Sequence, residues 1–292
     1  MRVTNSILYR TVKRNIQRSS SDVNKYQEQI TSGKRINRPS DDPLGAMRSQ
    51  QLYTKLNKIG QYSRNQTYAK SWLSMTESVL TQSSDLMVRL KEIAIAQASG
   101  NSNAETREIA AEEVQTIRDQ LLSLANTKVG NRSVFAGHQT NGEAFLNNGQ
   151  YAGDEGEILL NINDGITVQV NKLGDDVFAA GAGKTVFESL SEFVTALQGN
   201  DQTEIQSKID ELDLSFDSIN RSLSSVGAIQ NQVDNVENIA EENEIRHKDE
   251  LGQVEEVDIV EAVIGLETAQ NAFQAALSSA KTISQMNLTQ ML

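Results

Sequence analysis

The chain has 292 residues, a formal net charge of −12, two histidines and no cysteine. The lack of cysteine excludes disulfides, thiolate metal sites and thiol nucleophiles, and two histidines are too few for a typical zinc or iron site. Only 5% of the residues are aromatic, so a core must use mostly Ala, Leu, Ile and Val, which suits seams between helices. No stretch is apolar enough to span a bilayer, and the N-terminal residues lack the apolar core of a signal peptide.

The charge is distributed unevenly along the chain. Residues 1–70 have a net charge of +10, so the remaining residues carry −22, and the stretch 241–261 is strongly acidic. A basic arm is one feature of nucleic-acid-binding proteins, but neither an aromatic-rich basic run nor a helix-turn-helix pattern accompanies this one. We therefore expect no nucleic-acid partner, and we expect the basic part to pack near acidic parts of the same assembly.

The first predicted helix has a heptad-like apolar seam. Its positions are separated alternately by three and four residues, with one polar exception at Ser19: Tyr9, Val12, Ile16, Ser19, Val23, Tyr26 and Ile30. Gly33 follows as the predicted C-cap. Residues 31–45 then predict an ordered turn, in which Pro39 and Pro43 fix φ, and Ser40 and Asp41 cap the next helix.

The next two helices are predicted over Leu44–Ala98 and from Ala104 onward. The stretch 99–103 breaks the pattern and is short enough to join an antiparallel pair. The seam positions of the two helices follow the same rhythm: Leu73, Thr76, Leu80, Ser83, Met87, Leu90 and Ala94 in the first, and Ile109, Val114, Ile117, Leu121 and Leu124 in the second.

The middle of the chain predicts a small β unit. Ten of the 18 glycines fall in residues 130–183, and glycine weakens helices. Apolar residues alternate over 158–162 and again over 166–170, with Asp164-Gly165 between them. An Asp-Gly pair in this position is a strong hairpin signal, so we predict a β unit over about 145–180.

Helix is predicted again from Val186 and, after Gly199-Asn200-Asp201, over a long stretch with a 3-4 seam from Ile205 to Ala240. The last helix has the seam Ile259, Ala262, Leu266, Ala269, Phe273, Ala276, Ala280 and Ile283. Both ends of the chain are therefore single helices with narrow seams. Isolated helices of this size are marginal in water, so we expect the two to need each other or other subunits.

The residues that could carry chemistry do not form a site. The stretch 181–185 resembles the end of a phosphate-binding loop, but that motif needs glycine at position 178, where the chain has Phe178. The adjacent carboxylates Asp41-Asp42 and Glu112-Glu113 point apart on a helix instead of converging. We expect no enzyme activity, no cofactor, no metal and no small-molecule ligand.

Three motifs indicate a family. The loop 31–43 reads TSGKRINRPSDDP, residues 119–127 read DQLLSLANT, and Phe135-Ala136-Gly137 is followed by Tyr151-Ala152-Gly153-Asp154. These resemble the bacterial flagellar hook–filament junction proteins (hook-associated protein 3, FlgL) of the flagellin superfamily. The Pro-Ser-Asp-Asp-Pro ending of the loop favours this family over flagellin, and a flagellin filament subunit stays as the alternative.

The resemblance implies a mainly α fold with a small inserted β domain, in which the N- and C-terminal regions make a long antiparallel helical bundle or coiled coil. The implied domains are an inner terminal-helix domain (1–43 with 259–292), a helical rod (44–135 with 184–258) and a β outer domain (136–183). The implied assembly interface is Tyr9, Val12, Ile16, Val23, Tyr26, Ile30, Ile259, Leu266, Phe273 and Ile283. The implied hinge loop contains Lys34, Arg35, Pro39, Asp41, Asp42 and Pro43.

The resemblance also implies a structural role. The subunit would join the first hook-associated junction protein to the flagellin filament, and would contact copies of itself in a ring through its terminal helices. A flagellar export chaperone would bind it before it leaves the cell unfolded through the flagellar type III apparatus, which puts the assembled protein outside the cell. No membrane partner is expected.

Overall fold

The computed structural model describes the backbone of residues 2–99, 102–139 and 141–289, and the side chains of residue 7 and of residues 9–282 within those ranges. The chain divides into two compact units, a terminal unit (Met1–Lys58 with Glu242–Leu292) and a central unit (Ile59–Glu241). The division into three domains that the resemblance implies stays a prediction.

Long helices dominate the described residues. The helices are α1 (Arg2–Ser32), α2 (Pro43–Ala98), α3 (Ala104–Ala125), α4 (Gly174–Val177), α5 (Val186–Gln198), α6 (Gln202–Glu255) and α7 (Ile259–Thr289). The strands are β1 (Lys128–Val129), β2 (Arg132–Ser133), β3 (Leu159–Asn163) and β4 (Ile166–Gln169), paired as two antiparallel hairpins. The mainly α fold with a small β insertion is therefore confirmed. Within the described part, none of the helices has an apolar stretch long enough to cross a bilayer.

The core of the central unit follows the 3-4 rhythm of the sequence. The seam of α2 from Leu73 to Ala94 is fully buried, including the polar Thr76 and Ser83. On α6 the positions Ile205, Leu212, Ile219 and Val226 are also fully buried and recur every seven residues. The heptad pattern therefore marks the packed face of each helix, because residues three and four apart share one side.

The predicted antiparallel pair is formed by α2 and α3. Arg89 of α2 pairs with Glu113 of α3 at 2.8 Å, and Arg107 near the start of α3 donates to the carbonyl of Gln97 near the end of α2. One predicted seam residue is wrong, because Ile109 is 63% exposed. It lies five residues before the buried Val114, and this spacing turns it away from the packed face.

Two arginines of α3 are buried, which the sequence pattern did not indicate. Arg107 is 4% exposed and donates to Asn200 and Gln97, and Arg118 is 8% exposed and donates to the carbonyl oxygens of Phe187 and Asn147. Gln97 and Asn200 lie at the C-terminal ends of α2 and α5, where the helix dipole attracts a positive charge. Each guanidinium therefore ties α3 to loops of the central unit.

The β unit is built around an aromatic cluster. The predicted hairpin at Asp164-Gly165 is confirmed, since β3 and β4 pair across it and Gly165 has φ +72°. The β1–β2 hairpin was not predicted, because strands of two residues leave no readable alternation. In this cluster the ring of Phe145 lies 4.9–5.5 Å, centroid to centroid, from three neighbouring rings, those of Tyr151, Phe178 and Phe187. The ring of Phe135 lies 5.5 Å from that of Phe178.

We expect Phe145→Ala to lower the free energy of unfolding of the central unit by about 3–5 kcal/mol, because it empties the centre of this cluster. Chemical denaturation monitored by circular dichroism measures the change. Leu159→Ala is the control, since Leu159 is 58% exposed and a surface truncation stays within about 0.5 kcal/mol. Equal effects of the two variants would contradict this account of the core.

Candidate assembly site

Within the terminal unit, α1 packs against α7. The two helices run antiparallel, because Tyr26 near the end of α1 lies beside Gly265 near the start of α7, and Lys34 pairs with Glu256 just before α7 begins. Most of the predicted seam positions are among the less exposed residues of each helix. They are half-buried or buried at Val12, Ile16, Ser19, Val23, Tyr26 and Ile30 on α1, and at Ala262, Leu266, Ala269, Phe273, Ala276 and Ala280 on α7.

Among the described side chains, two residues assigned to the interface lie outside this seam. Tyr9 is 68% and Ile259 is 60% exposed, and the side chain of Ile283 lies outside the described residues. A straight α-helix drifts by about 20° per heptad relative to a seven-residue repeat, which turns positions at the ends of a seam away from the partner. Which of these residues contact a neighbouring subunit stays a prediction.

Gly265 allows the tightest approach of the two helices. A Cβ atom built on it would lie 2.5 Å from Cε1 and 2.7 Å from Cζ of the Tyr26 ring. The ring therefore packs directly on the backbone of α7, where any other side chain would displace it.

The first turns of α7 expose an apolar patch. Ile259, Val260, Val263 and Ile264 are 60%, 69%, 47% and 60% exposed. We call these four residues the α7 patch. Scattered surface apolar residues need no explanation, but several adjacent ones on a single helix indicate a contact surface.

The helix α7 begins where it does because Asp258 caps it. Its Oδ1 accepts hydrogen bonds from the backbone N–H groups of Val260 and Glu261, and its carbonyl oxygen accepts from Ala262. An aspartate at this position satisfies donors that the first helical turn leaves free. The break between α6 and α7 is thus three residues long, 256–258.

The predicted hinge loop meets this break. The N–H of Arg35 donates to the carbonyl of Glu255 at 2.7 Å, and the N–H of Val257 donates to the carbonyl of Gly33 at 3.1 Å. The Arg35 guanidinium also donates to the carbonyl of Val254 at 2.8 Å. Gly33 has φ +71° and ends α1 as the predicted C-cap. Backbone hydrogen bonds therefore join the two connecting segments of the terminal unit, the loop from α1 to α2 and the break between α6 and α7.

A side-chain cluster reinforces the junction. The Glu255 carboxylate accepts from the Lys34 ammonium at 2.7 Å and from the Tyr53 hydroxyl at 2.6 Å, and Lys34 also donates to the Tyr53 oxygen at 2.9 Å. Glu255 is 9% exposed. The hydrogen bond from Lys34 to Glu255 raises the pKa of the Lys34 ammonium, with a further contribution from Tyr53. The Lys34 ammonium therefore stays charged at neutral pH and keeps its ion pair with Glu255.

The two aspartates of the loop have different roles. Asp42 caps α2, because its Oδ1 accepts from the N–H of Gly45 at 2.9 Å while Pro43 takes the first helical position. Asp41 instead closes the turn by accepting from the N–H groups of Asn37 and Arg38. The expectation that Ser40 and Asp41 cap this helix is therefore wrong, since the cap lies one residue later.

The capping hydrogen bond from Gly45 holds the pKa of the Asp42 carboxyl below its usual value, and the Arg35 guanidinium acts in the same direction. Pro39 and Pro43 are both exposed on the loop. Ile36 is the loop's buried anchor at 6% exposure. It lies so close to Gly45 that a Cβ atom there would be 2.5 Å from its Cδ1. The loop is thus an ordered connection with its own small core.

The loop around Lys184 lies in the central unit, and the Lys184 side chain forms an ion pair. The Lys184 ammonium donates to both oxygens of Glu192, at 2.8 and 2.7 Å, and Thr185 caps α5. Lys208, 9% exposed at its side chain, binds the same Glu192 and also Glu211. The lysine that resembled a phosphate ligand is therefore part of a network that holds α5 to α6. Among the described residues, no group of three or more His, Asp or Glu side chains could hold a metal ion.

Comparison with known proteins identifies the chain's relatives. The family model of the bacterial flagellin N-terminal helical region matches residues 3–140. Flagellar hook-associated protein 3 of Escherichia coli (strain K12) is 25% identical over 315 residues, covering 100% of this chain and 99% of that protein. The chain is thus similar over its whole length to flagellar hook-associated protein 3.

A solved structure has the same fold. The flagellar hook-associated protein 3 of Legionella pneumophila superposes with a TM-score of 0.65 at 17% identity, over 70% of this chain and 98% of that one. Flagellin FlaB1 of Treponema pallidum is also 25% identical, but over 76% of this chain and 74% of the relative. The full-length match therefore favours similarity to the hook-associated proteins over similarity to flagellin.

The network at Glu192 predicts a pH dependence. Hydrogen bonds from Lys184 and Lys208 lower the pKa of Glu192. Burial raises the pKa of Glu211, but hydrogen bonds from Ser189 and Lys208 outweigh it and leave that pKa lowered as well. A carboxylate with a lowered pKa stabilises the fold above its unfolded-state pKa, and this stabilisation is lost as pH falls through the folded-state pKa.

We therefore expect the melting temperature of the central unit to fall as the pH is lowered from about 5 to about 3, across the ordinary glutamate range. Glu192→Gln should flatten this dependence, because the glutamine cannot titrate. Glu143→Gln, at an exposed loop position, should leave it unchanged. An unaltered pH profile in the Glu192 variant would rule out the network as its source.

At the junction, Glu255→Gln should lower the free energy of unfolding of the terminal unit by about 1–3 kcal/mol, since Lys34 and Tyr53 lose a charged acceptor. Hydrogen exchange at the amides of Arg35 and Val257 measures the local loss. The adjacent Glu256→Gln is the matched control, because Glu256 is exposed and makes no ion pair in the described part of the chain. Faster exchange in both variants alike would contradict a specific role of Glu255.

Proposed function

We propose that this chain is the junction subunit between the hook and the flagellin filament. In this proposal it contacts the first hook-associated junction protein on one side and flagellin on the other, and copies of itself within a ring. The proposal rests on the full-length similarity to hook-associated protein 3 and on one observation in the structure. The α1–α7 seam buries one side of each terminal helix, while the α7 patch on another side of α7 stays exposed.

The α7 patch supports assembly for an energetic reason. The seam uses alanine at four positions on α7 (Ala262, Ala269, Ala276 and Ala280), so little apolar area is removed from water within one chain. The larger residues Ile259, Val260 and Ile264 face solvent in the free chain. A neighbouring subunit that covers these residues would bury apolar area in addition to the area that the α1–α7 pair buries. Helices with narrow seams become stable in an assembly in this way.

The route to the cell exterior is part of the same proposal. Export through the flagellar type III apparatus requires an unfolded chain, and a chaperone would hold the C-terminal helix before export. A chain without cysteine forms no disulfide that could block unfolding on either side of the membrane. The assembled subunit would then lie outside the cell, in the flagellum.

The test of the function is electron microscopy of flagella from a strain that lacks this chain. We expect intact hooks without filaments, with flagellin released into the medium, and filaments restored when the chain is supplied from a plasmid. Normal filaments in the deletion strain would overturn the proposal.

A substitution in the α7 patch tests the proposed contact surface. Ile264→Asp should abolish filament attachment in the complementation assay, because it places a charge where a neighbour removes water. Since Ile264 is 60% exposed in the free chain, purified protein should keep its helix content and melting temperature.

Two further variants control this experiment. Asn271→Asp adds the same charge at an exposed polar position of α7 and should support normal filaments. Phe273→Asp lies in the α1–α7 seam and should disturb the helix pair as well as assembly. Wild-type filaments with Ile264→Asp would exclude the α7 patch from the contact.

A further inference from the structure

The sequence has two Asn-Gly pairs, and both lie between β2 and β3 in the central unit. They are Asn141-Gly142 and Asn148-Gly149. Asparagine is a thermolabile residue, and a following glycine makes it more reactive, because no Cβ hinders the backbone nitrogen of that glycine. The two pairs are the same dipeptide, so a difference in their reactivity within the folded chain comes from the fold.

The reaction of such a pair is an attack within the chain. The backbone nitrogen of the glycine loses its proton and forms a bond to Cγ of the asparagine. The bond from Cγ to Nδ2 breaks, and Nδ2 leaves as ammonia with a proton equivalent to the one that the glycine nitrogen lost. Water then opens the cyclic imide at either carbonyl carbon, which gives aspartate or isoaspartate. The nitrogen must approach Cγ in a defined geometry, so a rigid turn prevents the attack.

Hydrogen bonds hold the Asn148-Gly149 pair. The backbone N–H of Gly149, which would have to lose its proton, donates to the carbonyl of Leu146 at 2.8 Å. The Asn148 Oδ1 accepts from the backbone N–H of Gln150 at 3.1 Å, and its Nδ2 donates to Oε1 of the same glutamine at 2.9 Å. Both the attacking nitrogen and the side chain that it would attack are therefore engaged elsewhere.

Packing also fixes the backbone of Gly149. A Cβ atom built on this glycine would lie 2.5 Å from Cβ of Phe187, which is fully buried. The carbonyl oxygen of Gly149 accepts from the Thr185 hydroxyl at 3.0 Å. Turning this backbone toward the side chain of Asn148 would break these contacts, so the fold opposes the reaction.

The Asn141-Gly142 pair is much less constrained. Both residues are exposed. The backbone N–H of Gly142 donates to the carbonyl of Gln139 at 3.5 Å, which is longer than the usual range of about 2.7–3.2 Å. A Cβ atom built on Gly142 would have no neighbouring heavy atom within 4 Å. The backbone at Gly142 therefore has room to turn, and its nitrogen is only weakly engaged.

We propose that Asn141 deamidates spontaneously to aspartate and isoaspartate in the folded chain, whereas the fold protects Asn148. The inference goes beyond the proposed function and does not depend on it. The conversion adds one negative charge to an exposed loop of the central unit, and the isoaspartate form also lengthens the main chain by one carbon atom. The open space around Gly142 accommodates this change, so the converted fraction grows with the age of each folded copy.

Mass spectrometry of the purified full-length chain, incubated in a mildly alkaline buffer, tests the inference. A protease that cleaves after glutamate separates the two pairs, because Glu143 lies between them. We expect the peptide that ends at Glu143 to show a steady exchange of amide for acid at Asn141. The exchange at Asn148 should be at least about tenfold slower, since several contacts must break before it reacts.

Two controls separate the fold from the chemistry. In urea, which unfolds the chain, both asparagines should react at the same rate, because only the dipeptide matters there. Gly142→Ala should slow the reaction at Asn141 severalfold, since a methyl group hinders the attacking nitrogen. This variant should keep the melting temperature of the wild type, because its Cβ meets no atom within 4 Å.

Three results would overturn the inference. The first is equal rates at Asn141 and Asn148 in the folded chain. The second is an Asn141 that stays intact in the folded chain over the time in which it reacts in urea. The third is an unchanged rate at Asn141 in Gly142→Ala. The proposed flagellar role stands or fails separately, since it is tested by filament attachment in cells.

Discussion

The Glu255 carboxylate holds together the place where the chain twice changes direction within the terminal unit. Lys34 and Tyr53 bring their donors to it, and the backbone of Arg35 donates to its carbonyl oxygen. Without this convergence, the loop after α1 and the break before α7 would be independent flexible connections. With it, the end of α1 and the start of α7 are fixed beside each other, so their seams meet along the length of both helices.

This geometry explains why each terminal helix has one packed side while its other sides stay exposed. The pairing of α1 with α7 covers their narrow seams, which are rich in alanine on α7. The large apolar residues at the start of α7 stay exposed to water. Arg10, Arg14, Arg18 and Lys25 of α1 also form no ion pair among the described residues. A single copy therefore satisfies one side of each helix, and the remaining sides have the composition of contact surfaces.

Much of this architecture was readable from the sequence, because helix packing depends on a simple spacing. The seams of α2 and α6 and the Asp164-Gly165 hairpin were predicted, since each follows from local periodicity or turn chemistry. The sequence did not predict which residues of the candidate assembly site pack within the chain and which stay exposed. Tyr9 and Ile259 have the right spacing but lie at seam ends, where helical drift turns them outward.

Other features depend on tertiary partners that no local pattern reveals. Arg107 and Arg118 are buried because carbonyl oxygens distant in sequence, those of Asn200 and Asn147, accept hydrogen bonds from them, and arginine is ordinarily a surface residue. The shift of the α2 cap from Asp41 to Asp42 depends on how the preceding turn closes. Spacing predicts which side of a helix is packed, but not which carboxylate in a run of two receives the hydrogen bond.

The close approach of Tyr26 to Gly265 also determines which alignment of α1 and α7 is allowed. Ala262, Ala269 and Ala276 follow each other at intervals of seven residues, so at these positions a shift by one heptad would replace alanine with alanine. Such a slip in one direction would put Ala272 where Gly265 lies, and its Cβ would collide with the tyrosine ring. A slip in the other direction would place Asp258, the residue that caps α7, beside the Tyr26 ring. Gly265 thus holds α1 and α7 in a single register.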